Sequence, residues 1–384
     1  MEGMTEAFGM NPAEKAELTG LTRDEVSSWC RDQGLPAFRG IQIFEGIHKG
    51  LRFEEMSNLP LRLREQLAFS AVDQPVSIVM ERRSKLDGTV KFLFTLRDGN
   101  RVEGVLMRYE YGLTLCISTQ VGCRMGCRFC ASTLEGLVRN LTAGEMLGEI
   151  LAVNRWIRDQ AENPAGNHTD NLRETHTDNP VFTERVSHVV LMGSGEPLDN
   201  YEETVRFLKL LREKDGTQIS LRNVSLSTCG LVDRMKDLAK ENLPVTLCVS
   251  LHAPDDEIRA KIMPVAKKWK IAEILKACRE YIGQTGRRVI FEYALSEGIN
   301  ASPRDAEKLA ALLRGMQCHV NLIPLNPVKE RGMAGVSEET VRRFMNVLKE
   351  KHISVTRRRE MGDDIEGACG QLRRSVAQTR PASG

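Results

Sequence analysis

The sequence predicts an α/β protein: a partial (βα)6 TIM-type barrel, preceded by a small helical domain and a β-hairpin/meander extension. Three observations carry this. Six short apolar runs alternate with helical stretches from residue 113 onward. Strand–helix alternation with Val/Ile/Leu-rich strands is the mark of a parallel sheet. The polar motifs gather at or just after the C-terminal ends of those runs, where a barrel builds its site.

In chain order, residues 1–16 are expected to be disordered. Residues 17–74 read as a helical module. Thr22 followed by Glu25 gives a capping box ahead of Val26 and Trp29. The module carries Arg39, Lys49, Arg52, Arg62 and Arg64, either a solvated helix face or a docking surface for an RNA backbone. Residues 75–112 form the meander: "PVSIVMERR" and "TVKFLFTLR" flank the turn "LDG", and "RVEGVLMRY" supplies a third strand. Within that strand, Glu103 reads on pattern alone as an outward-facing charge.

The barrel is assigned to 113–350. Its strands are "LTLCIST", "SHVVLMG", "NVSLST", "VTLCVSLH", "RVIFEYAL" and "CHVNLIPLN", expected to be buried on both faces. Helical spacing covers 142–157, 201–213, 270–284, 303–315 and 337–350, and 353–356 suits one more short strand. The polar segment 158–184, with "HTDN" twice, reads as a flexible insertion and not as a second metal site through His168 and His176. Residues 351–384 are a C-terminal loop and tail.

Composition bounds the function. The chain has 54 basic and 52 acidic residues, so any nucleic-acid surface must be local. No apolar run is long enough to span a membrane, and the N-terminus lacks the apolar core of a signal peptide, which predicts a cytoplasmic protein. Ten cysteines in that setting do not suggest a disulfide framework. Cys30, Cys229, Cys248, Cys278 and Cys318 stand alone and are expected to be buried core residues.

The remaining cysteines are different. Cys123, Cys127 and Cys130 have the spacing C-x3-C-x2-C just after the first barrel strand, and Cys116 lies inside that strand. A zinc site of all four would place one ligand within a buried strand, and no second C-x2-C exists to complete the usual pairing. Three thiolates instead suit a four-iron cluster with one open iron. At this point the chain resembles the radical S-adenosylmethionine superfamily. That resemblance implies one [4Fe-4S] cluster on Cys123, Cys127 and Cys130, with S-adenosylmethionine on the open iron. "GSGEP", Gly193–Pro197, fits the superfamily's glycine-rich stretch, with Glu196 accepting from the cofactor's ammonium group.

A closer resemblance, from about residue 20 to 372, is to the RNA adenine methyltransferases of the RlmN and Cfr kind. It is carried by "QVGC", "GEPLDN", "SLHAP", "NLIPLNP" and "ACGQL". It implies that Cys369 carries the methyl group, taken from one S-adenosylmethionine, while a second is cleaved to a 5′-deoxyadenosyl radical, making two per turnover. Cys116 then resolves the protein–RNA adduct by a transient disulfide with Cys369. Glu103 matches a position proposed as proton acceptor, a role for which Cys116 competes. Gly195, Glu196, Ser227, Ser250, Leu251, His252 and Asn326 become cofactor contacts, His252 through its backbone. The implied substrates are adenosine 2503 of 23S rRNA and adenosine 37 of some tRNAs, methylated at carbon-2. A reduced flavodoxin or ferredoxin-type donor and a monomeric enzyme complete the expectation. "TRRRE" at 356–360 and "LRRS" at 372–375, on either side of Cys369, suit an RNA backbone.

Rival readings differ in what they ask of these cysteines. A Cfr-type carbon-8 enzyme shares every catalytic motif. A radical maturase acting on a partner protein gives Cys369 and Cys116 no role. An iron–sulfur sensor or electron carrier would not cleave S-adenosylmethionine.

Overall fold

The computed structural model describes residues 15–162, 184–325 and 333–365. Expectations for the extreme N-terminus, most of the insertion, Asn326, Cys369 and the 372–375 cluster lie outside these residues.

Three helices open the chain: α1 (Arg23–Asp32), α2 (Ala37–His48) and α3 (Leu61–Ser70). The capping box is formed as expected, with the Glu25 amide donating to Thr22 Oγ1 at 3.3 Å and the Thr22 amide to Glu25 Oε2 at 2.7 Å. Val26, Ile43, Phe44 and Leu67 bury the module's apolar side in the common core.

One ten-stranded sheet organises the rest. Its strands are β1 (Val76–Arg83), β2 (Val90–Leu96), β3 (Arg101–Tyr109), β4 (Gly112–Ile117), β5 (Val186–Leu191), β6 (Val224–Thr228), β7 (Thr246–Ser250), β8 (Val289–Leu295), β9 (Cys318–Pro324) and β10 (Val355–Arg357). They lie in sheet order as they lie in sequence. β1 to β4 pair antiparallel, and β4 to β10 pair parallel. The six expected barrel strands are β4 to β9, and β10 is the additional short one.

Helices α4 (Ala143–Glu162), α5 (Tyr201–Leu210), α8 (Ile271–Thr285), α9 (Pro303–Leu313) and α10 (Glu338–Glu350) match the predicted helical stretches. Two more, α6 (Val232–Lys240) and α7 (Asp256–Ile262), were not predicted. They are short, so their apolar period spans barely two turns. The expected insertion is also narrower than drawn: residues 158–162 continue α4, and Glu184 takes a bidentate pair from Arg108.

The parallel strands depart from the prediction in one respect that matters for function. Their large apolar residues mostly fill one face, while Ala294 and Ile323 point the other way into the cavity. Leu115, Ile117, Val189, Leu226, Leu247, Val249, Phe291, Val320 and Leu322 are essentially inaccessible. The alternate residues, among them Cys116, Ser227, Ser250 and Glu292, line a cavity instead. Strand side chains alternate between faces, so a run that reads as apolar throughout still presents its few polar members together.

Glu103 corrects a second reading. It is only 5% exposed and does not face outward. Lys91, on the neighbouring β2, is fully buried and its Nζ lies 3.1 Å from Glu103 Oε2.

Candidate active site

The site is a cavity of about 370 Å³ at the C-terminal ends of the parallel strands, extending down the open side of the sheet. Residues Arg358 to Met361, following β10, and Val105, Met107 and Tyr109 of β3 also line it, with Met361 packed against the β3 residues. Cys116, Cys123, Cys127, Cys130, Gly195, Glu196, Ser227, Ser250 and His252 all line it. Of the expected contacts, Leu251 does not: its side chain is buried in the core. Glu103 does not either, although it shares a strand face with Val105, two residues on, which does.

The three-cysteine loop is built by backbone hydrogen bonds. A short strand, Gln120–Gly122, pairs antiparallel with Leu137–Asn140. At Gly122 φ is +77°, and a Cβ would sit 2.0 Å from the Gly136 carbonyl oxygen, so only glycine fits. The Cys123 amide then donates to that same carbonyl at 2.8 Å. Thr133 Oγ1 donates to the Cys127 and Cys130 carbonyls at 3.1 and 3.0 Å. The Arg128 amide reaches the Ile262 carbonyl at 2.9 Å, which ties the loop to α7.

Burial pushes the Cys123 thiol up to about 12, and burial pushes Cys127 higher still; the neighbouring Cys130 adds to both. Iron must therefore displace protons that the apo-protein holds tightly. Among the described residues no three His, Cys, Asp or Glu side chains are placed to hold a single metal ion. A four-iron cluster spreads its thiolates over separate irons, so three cysteines around one cavity suit it.

The glycine-rich stretch packs directly on this loop. Gln120 receives the Glu196 amide on Oε1 at 2.9 Å and donates from Nε2 to Asp199 at 2.9 Å. Asp199 also pairs with Arg124. Glu196 is buried, which raises its carboxyl. Its oxygens accept from the Cys229 amide at 2.7 Å and the Leu198 amide at 3.1 Å, leaving lone pairs for an ammonium ligand. Gly195 has φ +117°, and a Cβ there would lie 2.5 Å from Thr119 Oγ1 and 2.8 Å from the Gln120 amide nitrogen. Gly195→Ala is expected to destabilise the protein by roughly 2–3 kcal/mol and to displace Glu196. Chemical denaturation and calorimetric titration with S-adenosylmethionine would measure the two effects.

His252 is neutral and firmly placed. Burial, with a contribution from Arg259, holds its ring down at about 3. Its Nδ1 accepts from the Ala294 amide at 2.9 Å, its carbonyl accepts from Asn300 at 2.7 Å, and its amide donates to the Glu292 carbonyl at 3.3 Å. With those backbone groups engaged, its visible task is to pack edge-on against Phe129, centroids 4.5 Å apart, beside Cys130. Histidine-ring NMR is expected to show no titration of His252 from pH 8 to 5. Because the unfolded chain takes this proton first, the group's contribution to stability is complete above about pH 6.5 and is lost as pH falls toward 3.

Four residues escaped the sequence reading. Cys229 is buried in an apolar cluster as expected, but it also lines the cavity beside Cys127. Glu292 lines it too, with burial raising its carboxyl, Asn321 donating to Oε1 at 3.1 Å and Oε2 left without a partner. Lys91 pairs with Glu103, and Arg259 lies fully buried behind the strand ends. Each is an isolated residue without a motif, and a glutamate in the middle of the apolar run "RVIFEYAL" was the only available hint.

This arrangement, a three-cysteine loop beside a glycine-rich turn at the ends of parallel strands, defines a radical S-adenosylmethionine protein. Residues 181–310 match the Radical SAM superfamily, and residues 16–72 match the ribosomal RNA large subunit methyltransferase N-terminal domain. Over 366 residues the chain is 49% identical to a probable dual-specificity RNA methyltransferase RlmN of Alkaliphilus oremlandii, covering 95% of this chain and 99% of that one. It is 47% identical to a protein of the same description from Lachnoclostridium phytofermentans, covering 94% and 95%. The crystal structure of a radical SAM methyltransferase from Sphaerobacter thermophilus superposes with a TM-score of 0.84 at 40% identity, covering 93% of this chain and 98% of that one. The chain belongs to the RlmN family of radical SAM RNA methyltransferases.

Proposed function

We propose that the enzyme methylates carbon-2 of adenosine 2503 in 23S rRNA and of adenosine 37 in some tRNAs. The observation that carries this is full-length similarity to relatives described as dual-specificity RNA methyltransferases, joined to the placement of Cys116 in the cluster cavity. When bound on Cys123, Cys127 and Cys130, the cluster and S-adenosylmethionine supply one-electron cleavage and a 5′-deoxyadenosyl radical; two molecules of cofactor serve each turnover. The chain's own residues do the rest. Cys369 carries the methyl group and, after losing a hydrogen atom from it, joins that carbon to the adenine ring. The radical adduct then gives up the ring proton, which Glu103 takes, and one electron, which would return to the iron–sulfur cluster that supplied one for the cleavage; this restores the aromatic ring and leaves a closed-shell sulfur–carbon bridge. Cys116 attacks the sulfur of Cys369, the sulfur–carbon bond breaks, and the carbon leaves as a methyl group after gaining a proton. A covalent carrier divides one difficult substitution into easier steps.

Two features support the pairing of Cys116 with Cys369. Met361 packs against the small cluster formed by Val105, Met107 and Cys116. The chain beyond it is pinned to the β1–β2 turn: the Gly362 amide donates to Asp87 at 2.9 Å and the Lys85 amide to Asp364 at 2.9 Å. From Ile365, four residues of chain reach at most about 14 Å. The enzyme acts as a cytoplasmic monomer, reduced by a flavodoxin or ferredoxin-type donor. Among the described residues, no helix is long and apolar enough to cross a membrane.

Mass spectrometry of digested 23S rRNA and tRNA, from a host lacking its own enzyme and given this gene, tests the reading. 2-Methyladenosine in both RNAs is expected. 8-Methyladenosine would move the reaction to the other ring carbon, and methylation of only one RNA would end the dual specificity.

A further inference from the structure

Arg259, on α7, is 0% exposed. Its Nε donates to the Leu251 carbonyl at 3.2 Å, and Nη2 to the carbonyls of Cys229 at 2.6 Å and Ser250 at 3.2 Å. Nη1 is buried and has no partner. Among the described residues the guanidinium makes no ion pair with a carboxylate. Three carbonyl dipoles solvate a charge without neutralising it, and an uncompensated buried ion costs several kcal/mol. Burial accordingly lowers the affinity of this guanidinium for its proton, and the anion-forming groups that oppose the effect are, in order, the thiols of Cys229 and Cys127 and the carboxyl of Asp256.

The location gives that charge a purpose. Cys127 packs with Cys229, Ile262 and Met263, so α7 and the turn after it form the wall behind the cysteine loop. A loaded loop brings three thiolates and an electron-accepting cluster to this wall. We propose that Arg259 is the fixed counter-charge of the iron–sulfur cluster, holding the ends of β6 and β7 by their carbonyls while its charge favours the reduced cluster and raises its potential. The proposal rests on the radical S-adenosylmethionine reading of the site. One electron from the external donor enters the cluster, and Arg259 neither gives nor takes a proton.

The test is an EPR-monitored redox titration of the full-length, anaerobically reconstituted protein in wild-type, Arg259→Gln and Arg259→Lys forms. At equal iron content, Arg259→Gln is expected to show a reduced-to-oxidised ratio about tenfold lower at a fixed poise, a shift of ~59 mV to more negative potential for one electron. Arg259→Lys, which keeps the charge, is expected to recover most of the shift. A fully loaded Arg259→Gln protein with the wild-type midpoint would overturn the proposal. Should Arg259→Gln load too little iron to titrate, Arg259→Lys decides, because it keeps the charge but cannot reproduce the three carbonyl contacts. The counter-charge reading expects the lysine variant to load iron and to titrate close to the wild-type midpoint. A loaded lysine variant with its midpoint shifted by ~59 mV or more would make Arg259 a carbonyl clamp alone. A wild-type protein that holds no reducible cluster would instead defeat the class reading itself.

Discussion

Replacing Cys369 with alanine is expected to remove methyladenosine from the RNA products, by at least about 10³-fold, while reductive cleavage of S-adenosylmethionine continues. On the proposed mechanism this removes the methyl carrier and leaves the cysteine loop and the glycine-rich turn untouched. Cys116→Ala is expected to fail at a different step. Methyl would still load on Cys369 and the carbon bridge to RNA would still form, but no thiol would arrive to break it. Denaturing gel electrophoresis should then show RNA attached to protein, sensitive to nuclease and absent from the double variant Cys116→Ala/Cys369→Ala. The location of Cys116 makes this specific. Its side chain is buried where it lines the cavity, packed with Val105 and Met107. If Cys116→Ala turns over with normal yield, the resolving role falls and the disulfide with it. If Cys369→Ala still methylates RNA, the covalent-carrier mechanism falls as a whole.

What was legible in the sequence follows the physics of pattern. Continuous runs such as "SHVVLMG" and "VTLCVSLH" marked the six strands β4 to β9, because burying a strand against helices demands apolar residues on at least one face. The three cysteines and the glycine-rich turn were legible because their spacing is itself the geometry: chain connectivity holds them together. Arg259 and Glu292 had no such mark. Arg259 occupies one turn of α7 and acts on carbonyls from two strands, a relation that exists only after the barrel closes. Glu292 sits in register with Ser250 and Asn321 across β7, β8 and β9, an alignment that no local stretch of sequence encodes. Glu103 was misread for a related reason. Alternation placed it opposite its apolar neighbours, and the prediction assumed that the other face meets water. In this fold the other face of β3 turns toward the interior.

The Lys91–Glu103 pair gives the largest expected effect on stability and also separates structure from chemistry. Both side chains are buried, 3.1 Å apart, on neighbouring strands. Lys91 lies across from Val105, and Val105 across from Cys116, so Lys91 is two strands from Cys116 and Glu103 is on the strand next to it. Lys91→Met removes the ammonium that faces Glu103, and Glu103→Leu removes the carboxylate that faces Lys91. Each single change is expected to cost about 3–5 kcal/mol, because a charge stays in the interior without that counter-ion. The double variant Lys91→Met/Glu103→Leu replaces both charges with apolar groups and is expected to return to within about 1–2 kcal/mol of wild type. Chemical denaturation of the four proteins would close the cycle. Their activities then divide the roles. If Glu103 serves as proton acceptor, the refolded double variant remains unable to complete methylation despite its recovered stability. If methylation returns together with stability, the carboxylate's work is confined to holding β2 against β3, and the ring proton leaves through another group.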